Sequence, residues 1–228
     1  MKVIESSLYH RVLPPEQSKA TRHPTLIILH GRGADEEDLL GLASSLGKHL
    51  LILSVRAPYP FPYSGGYTWY DVGEVGAPEA LTFRTSYEKL RTFVDDAMKH
   101  YPVDPHQIFL LGFSMGTVMS YALSLTMPHL FRGVMANSGY IPEGTYLSFE
   151  WNDLLSLEFF VVHGIHDPII PVQFGRRAKE LLGQAGARFS YKEYPMGHEI
   201  SMDSQADMSA WLHQRITDPT QPGGTNKS

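Results

Sequence analysis

The chain has no cysteine. That excludes disulfides, a thiol nucleophile and thiolate metal sites, and it agrees with a reducing compartment. Charge is also sparse: Asp, Glu, Lys and Arg together make up 19% of 228 residues, with a formal net charge of −5. No basic run is present, so neither nucleic acid nor an anionic membrane surface is an expected partner. No apolar stretch approaches the roughly 20 residues that span a bilayer. The first residues, Met1-Lys-Val-Ile-Glu-Ser-Ser7, lack the apolar segment of a secretory signal. These absences lead to the expectation of a soluble, cytoplasmic protein with no membrane span.

What is present is apolar residue in quantity, 43% of the chain, enough for a substantial core. Short β-rich runs alternate with helical patterns and no internal repeat is visible. The alternation predicts an α/β fold, with a mainly parallel central sheet and helices on both faces. Strands are expected at Ser7–Leu13, Thr25–His30, Leu50–Val55, Gln107–Leu111, Gly133–Asn137, Phe159–His163 and Arg188–Tyr194. The middle ones are nearly continuous apolar runs, as strands covered on both faces should be. Helices are expected at Asp35–Gly47, Phe83–His100, Met115–Thr126, Pro171–Leu182 and Asp203–Arg215, with Asp35 and Asp203 as N-caps and Pro171 in a first turn. The reading is one domain over residues 1–216 and a disordered tail, 217–228, rich in Pro, Gly and polar residues.

Gly112-Phe-Ser-Met-Gly116 follows the apolar run Gln107–Leu111 and precedes a helical pattern. A G-x-S-x-G between strand and helix describes a nucleophile elbow, in which the serine sits in a strained turn with its hydroxyl exposed at the sheet's edge. The two glycines suit positions where a Cβ would strike the neighbouring strand and helix. A serine hydroxyl needs a base to take its proton. In this fold class the order along the chain is serine, acid, histidine, which does most of the selecting.

His129, His163, His166, His198 and His213 follow Ser114. Asp167, in His163-Gly-Ile-His-Asp-Pro168, lies just past an expected strand, the place for the acid. Glu143, Glu150, Asp153, Glu158, Glu180 and Glu193 lack that setting. After Asp167 only His198 and His213 remain. His213 falls inside an expected helix, whereas His198 lies in the Gly197-His198-Glu199 loop, from which it can reach Ser114. His166, next to the acid, reads as structural or as a support to the site without contact with substrate, and His30 and His163 as buried hydrogen-bonding residues. The developing oxyanion calls for backbone donors. Met115, after the nucleophile, supplies one N–H. The glycine-rich turn Gly31-Arg-Gly-Ala-Asp35 supplies the other, from Arg32, with Gly33 as the alternative.

Pro58–Tyr70 holds six aromatics in thirteen residues, and its prolines and glycines argue against regular structure. Such a loop after a central strand either borders a ligand site or covers the core. Tyr67, Trp69 and Tyr70 are its candidate pocket residues.

His30-Gly-Arg-Gly-Ala-Asp35, Gly112-Phe-Ser-Met-Gly116, His163-Gly-Ile-His-Asp-Pro168 and Gly197-His198 together resemble the phospholipase/carboxylesterase family, across about residues 20–216. That resemblance implies an α/β-hydrolase fold and a serine esterase with no metal and no organic cofactor. It implies a triad of Ser114, Asp167 and His198, oxyanion amides at Arg32 and Met115, and an aromatic segment, Gly66–Asp71, beside the substrate pocket. Many members carry a small or apolar residue in place of Arg32 and Gln in place of Met115. The expected partner is a small-molecule ester. A thioester or lysophospholipid substrate, and assembly as a homodimer, are left open. A non-catalytic binding protein would lack a triad member, and none is missing. The histidines also lack the paired spacing of a metal hydrolase.

Overall fold

Each central strand carries apolar side chains to both faces, and the sheet is built on that alternation. The computed structural model describes residues 1–16, 20–63 and 65–217. Along β2 (His23–Leu29), Leu26 and Ile28 face one core and Ile27 and Leu29 the other. The same division recurs along β8 (Val103–Phe113) and β10 (Glu158–Gly164). With β1 (His10–Leu13), β3 (Leu51–Val55), β9 (Gly133–Asn137) and β11 (Arg188–Tyr194) they form a seven-stranded sheet ordered β1-β3-β2-β8-β9-β10-β11. Only β1 runs antiparallel; the other pairings are parallel.

One face is covered by α2 (Ala80–His100), α3 (Met115–Thr126) and α4 (Val172–Gln184), which contribute Phe83, Leu90, Val118 and Leu182 to the larger core. The other is covered by α1 (Leu40–Leu46) and α5 (Met202–Thr217), through Ala43, Leu46, Met208 and Leu212. A short 3-10 turn, Pro128–Leu130, joins α3 to β9. The chain steps outward from β2 to β3 and then returns to the far side of β2 as β8. The order therefore reverses between β2 and β8, and the crevice at their carboxyl ends is where open α/β sheets place ligands.

Several element boundaries differ from expectation. The Asp35 helix begins at Leu40 instead. Ala34 bridges Tyr67, and Glu36 turns inward to Arg56, so residues 35–39 are held as turns, and Asp35 Oδ1 accepts from Glu37 N at 2.9 Å. In α5 the cap is Ser201, whose Oγ accepts from Ser204 N at 3.2 Å, and Asp203 lies inside the first turn. Pro171 flanks α4 as its N-cap, one residue before the helix. α2 starts ahead of Phe83 because the Glu79 carboxylate accepts from Leu81 N and Thr82 N. Thr217, assigned to the tail, is the last residue of α5, and the rest of that tail, 218–228, lies outside the described residues.

The aromatic segment is more regular than its prolines suggested. β4 (Tyr59–Phe61) pairs antiparallel with β5 (Gly66–Thr68), and β6 (Val72–Glu74) with β7 (Ala77–Pro78). Pro60 is tolerated because each hairpin is a two-stranded ribbon, so a missing donor interrupts no further ladder.

Candidate active site

Ser114 stands at the turn between β8 and α3 with φ 55° and ψ −120°, a left-handed conformation for a residue with a Cβ. The turn is tight enough to need both flanking glycines. A Cβ on Gly112 would lie 2.5 Å from Thr117 Cα, and one on Gly116 would lie 1.9 Å from Leu29 O. The strain is held by neighbours. Ser114 N donates to Asn137 O at 2.9 Å, Asn137 Nδ2 donates to Gly112 O at 3.0 Å, and Thr117 Oγ1 donates to Asn137 O at 2.7 Å. Asn137, at the carboxyl end of β9, drew no attention from the sequence, because its role exists only through the neighbouring strand.

Three side chains from three loops meet here. His198 Nε2 lies 2.9 Å from Ser114 Oγ, and His198 Nδ1 lies 2.7 Å from Asp167 Oδ2. The other Asp167 oxygen accepts from Ile169 N at 2.9 Å and Ile170 N at 2.8 Å. The carboxylate is fully buried, whereas the His198 side chain is 16% exposed. Oδ2 is an acceptor, so Nδ1 carries the proton and Nε2 presents its lone pair to the serine. The Phe113 ring lies 4.9 Å from the His198 ring, centroid to centroid. Phe113 is the first variable position of the G-x-S-x-G motif, whose pattern leaves it unspecified. His213 lies on the exposed side of α5, and His166 is also exposed.

His163 and His30 are buried and hydrogen-bonded. His163 Nε2 is 2.7 Å from Ile170 O and 3.6 Å from Asp167 Oδ2, while His30 bonds Gly31 O and Ala57 N. Burial, working against the charged form, lowers both pKa values.

Among the described residues, the backbone N–H groups of Arg32 and Met115 donate to no protein acceptor. Gly33, the alternative donor, is committed: its N–H donates to Tyr67 O at 2.8 Å. Gly31 packs directly on the elbow, since a Cβ built there would lie 3.4 Å from Ser114 Cβ. The 31–36 loop is clamped further on. Tyr67 N donates to Ala34 O, and the buried Glu36 carboxylate receives both Arg56 Nε and Nη2 at 2.6 Å. Burial works to raise the Glu36 pKa, but these bonds prevail and hold it below the usual carboxylate range.

The aromatic candidates divide. Trp69 and Tyr70 are 0% and 1% exposed and belong to the larger core, so neither offers surface to a ligand, and their pocket assignment is corrected to core cover. Trp69 Nε1 donates to His30 O at 2.9 Å, and the Tyr70 hydroxyl meets that of Tyr140 at 3.3 Å. Tyr67 is half-buried, its ring 4.5 Å below the Arg56 guanidinium. The Arg32 guanidinium lies over Phe61 at 4.7 Å. Among the described residues, no three His, Asp or Glu side chains converge as metal ligands, and no helix is long and apolar enough to cross a membrane.

A mainly parallel sheet flanked by helices, with a nucleophile-elbow turn at the strand-order reversal, defines the α/β-hydrolase class. The profile of the phospholipase/carboxylesterase family matches residues 11–216, so the chain belongs to that family and is a serine hydrolase of carboxylic esters. An acyl-protein thioesterase 1 from Debaryomyces hansenii is 30% identical over 158 residues, covering 65% of this chain and 68% of that one. A probable carboxylesterase from Arabidopsis thaliana is 27% identical over 169 residues, covering 69% and 64%. The crystal structure of a Bacillus cereus carboxylesterase superposes with a TM-score of 0.80 at 24% identity, covering 91% of this chain and 94% of that one, a likeness of fold.

Proposed function

We propose that the protein is a serine carboxylesterase that hydrolyses small to medium acyl esters through an acyl-enzyme intermediate. The observation that carries this reading is the unbroken relay from Ser114 Oγ to His198 (2.9 Å) to Asp167 (2.7 Å). Ser114 Oγ attacks the ester carbonyl as His198 Nε2 takes its proton. The Met115 and Arg32 amides receive the oxyanion. His198 then returns the proton to the departing alcohol. Water repeats the sequence on the acyl-enzyme, and the acid and free serine are released. Asp167, held by two backbone amides, keeps His198 in the required tautomer and supports its transient positive charge.

A thioester substrate fits the same machinery, and its support is the acyl-protein thioesterase among the similar proteins. Chain-length-graded esters and thioesters, assayed side by side, separate the two. The mechanism is tested by Ser114→Ala, which should lower kcat by about 10³-fold or more while the circular dichroism spectrum is kept. A fluorophosphonate should label Ser114 in the wild type alone. A folded Ser114→Ala enzyme retaining a tenth of the activity would sink the assignment.

A further inference from the structure

We infer that His30 is a positioning residue for the oxyanion hole, acting through the peptide bond between Gly31 and Arg32; the inference rests on the proposed esterase mechanism. Ala57 N lies 3.0 Å from His30 Nε2, and a backbone N–H can only donate, so Nε2 is the acceptor. The ring proton therefore sits on Nδ1 and is donated to Gly31 O at 2.7 Å. The other tautomer would set N–H against N–H at Ala57, and a ring turned over would set C–H groups against both Ala57 N and Gly31 O. His30 is 1% exposed, and its own carbonyl is fixed by Trp69 Nε1 at 2.9 Å.

The carbonyl that His30 grips belongs to the same planar unit as the Arg32 N–H. No peptide bond in the described residues is cis. In a trans unit the C=O and N–H point opposite ways, so anchoring Gly31 O on one side aims the Arg32 N–H to the other. The hydrogen bond on the carbonyl also polarises the unit and makes its N–H a better donor. The next amide, that of Gly33, is spent on Tyr67 O, and that of Ala34 is directed at Gly31 O at 3.4 Å. Of these three consecutive amides, the one His30 orients is the one with no protein acceptor among the described residues. Its neighbour Gly31 is packed on Ser114.

Two amide substitutions separate this role from general packing. In His30→Asn the side-chain N–H stands where Nδ1 stood and still reaches Gly31 O, while the Ala57 bond is lost. In His30→Gln the terminal oxygen can accept from Ala57, while the Gly31 bond is lost. Tightening of an oxyanion donor is a transition-state effect, so His30→Gln should lower kcat about 10- to 100-fold with KM within about threefold. His30→Asn should keep kcat within about threefold of wild type whatever its melting temperature. A trifluoromethyl ketone, which forms the tetrahedral adduct, should lose affinity in His30→Gln in parallel with kcat. Equal losses in the two variants, or a wild-type kcat in His30→Gln, would overturn the inference. Should a variant not fold, imidazole 15N spectra of the wild type decide: they should show His30 neutral and protonated on Nδ1, and protonation on Nε2 would overturn it. Ser114→Ala measured alongside separates the two failures. Activity in that variant removes the esterase mechanism, whereas its loss with an unaffected His30→Gln removes only the positioning role.

Discussion

Gly66→Ala should damage both stability and turnover, although residue 66 touches no candidate catalytic side chain. An alanine Cβ there would lie 2.2 Å from Gly33 O, 2.5 Å from Gly33 C and 2.7 Å from Ala34 O. All three are backbone atoms and cannot swing aside, so hairpin β4–β5 must retreat by about 1 Å to reach ordinary contact. Gly33 N to Tyr67 O and Tyr67 N to Ala34 O, both now 2.8 Å, would then exceed hydrogen-bonding distance. Two bonds at about 1 kcal/mol each, with residual overpacking of about 1 kcal/mol, amount to about 3 kcal/mol. For a domain of this size that is a fall in Tm of about 6–12 °C. The loop that loses its brace carries the Arg32 amide, and a displacement of this order costs about 10- to 100-fold in kcat. Gly65→Ala is the control. Gly65 has φ 78° and open space around its Cβ position, so it should cost about 1 kcal/mol of backbone strain and leave kcat unchanged. Calorimetry and kinetics on a short chromogenic ester measure both effects. A Gly66→Ala enzyme melting within 2–3 °C of wild type with undiminished kcat would refute the reasoning.

Trp69→Ala should lower stability by about 3–5 kcal/mol and reduce activity toward acetate, butyrate and octanoate esters by a common factor, because a core residue has no acyl chain to select. A change in chain-length preference without a lower Tm would return Trp69 to the pocket. Stability should fall as the solution is acidified. Burial above all keeps His10, His30 and His163 neutral in the fold, with pKa values below their ordinary 6.5. The unfolded chain therefore takes up protons first, and stability is lost as pH falls through about 6.5 toward the folded values, by at most about 1.4 kcal/mol per pH unit for each group. Urea midpoints at pH 7.5 and 5.5 test this; an equal or higher midpoint at pH 5.5 would contradict it.

The parallel sheet, both helical layers and the Ser114, Asp167 and His198 candidates were legible in the chain. Each depends on local pattern: apolar runs of strand length, a glycine–serine turn after one of them, and order along the chain. Boundaries were less legible where a distant group competes. Asp35 looks like a helix start, but Glu36 is drawn to Arg56 and Ala34 is paired with Tyr67, and neither partner can be seen from residues 30–40. Pro58–Tyr70 reads as irregular because its prolines and glycines are local signals, whereas the pairing of Tyr59 with Thr68 is made across a turn.

Composition and motif spacing by themselves determined the class of the fold and the residues able to form a relay. Only tertiary structure decided which of those residues meet, and what surrounds them. Trp69 and Tyr70 carry the same sequence signal as pocket aromatics, but burial depends on which elements fold over them, and here they are core. The glycine-rich turn offered the Arg32 amide with Gly33 as the alternative, and it is the fold that gives the Gly33 amide to Tyr67 O. The reason is the same in each case: a hydrophobic period or a turn is encoded by near neighbours, whereas an amide's partner and a ring's exposure are set by groups that only folding brings within a few ångströms.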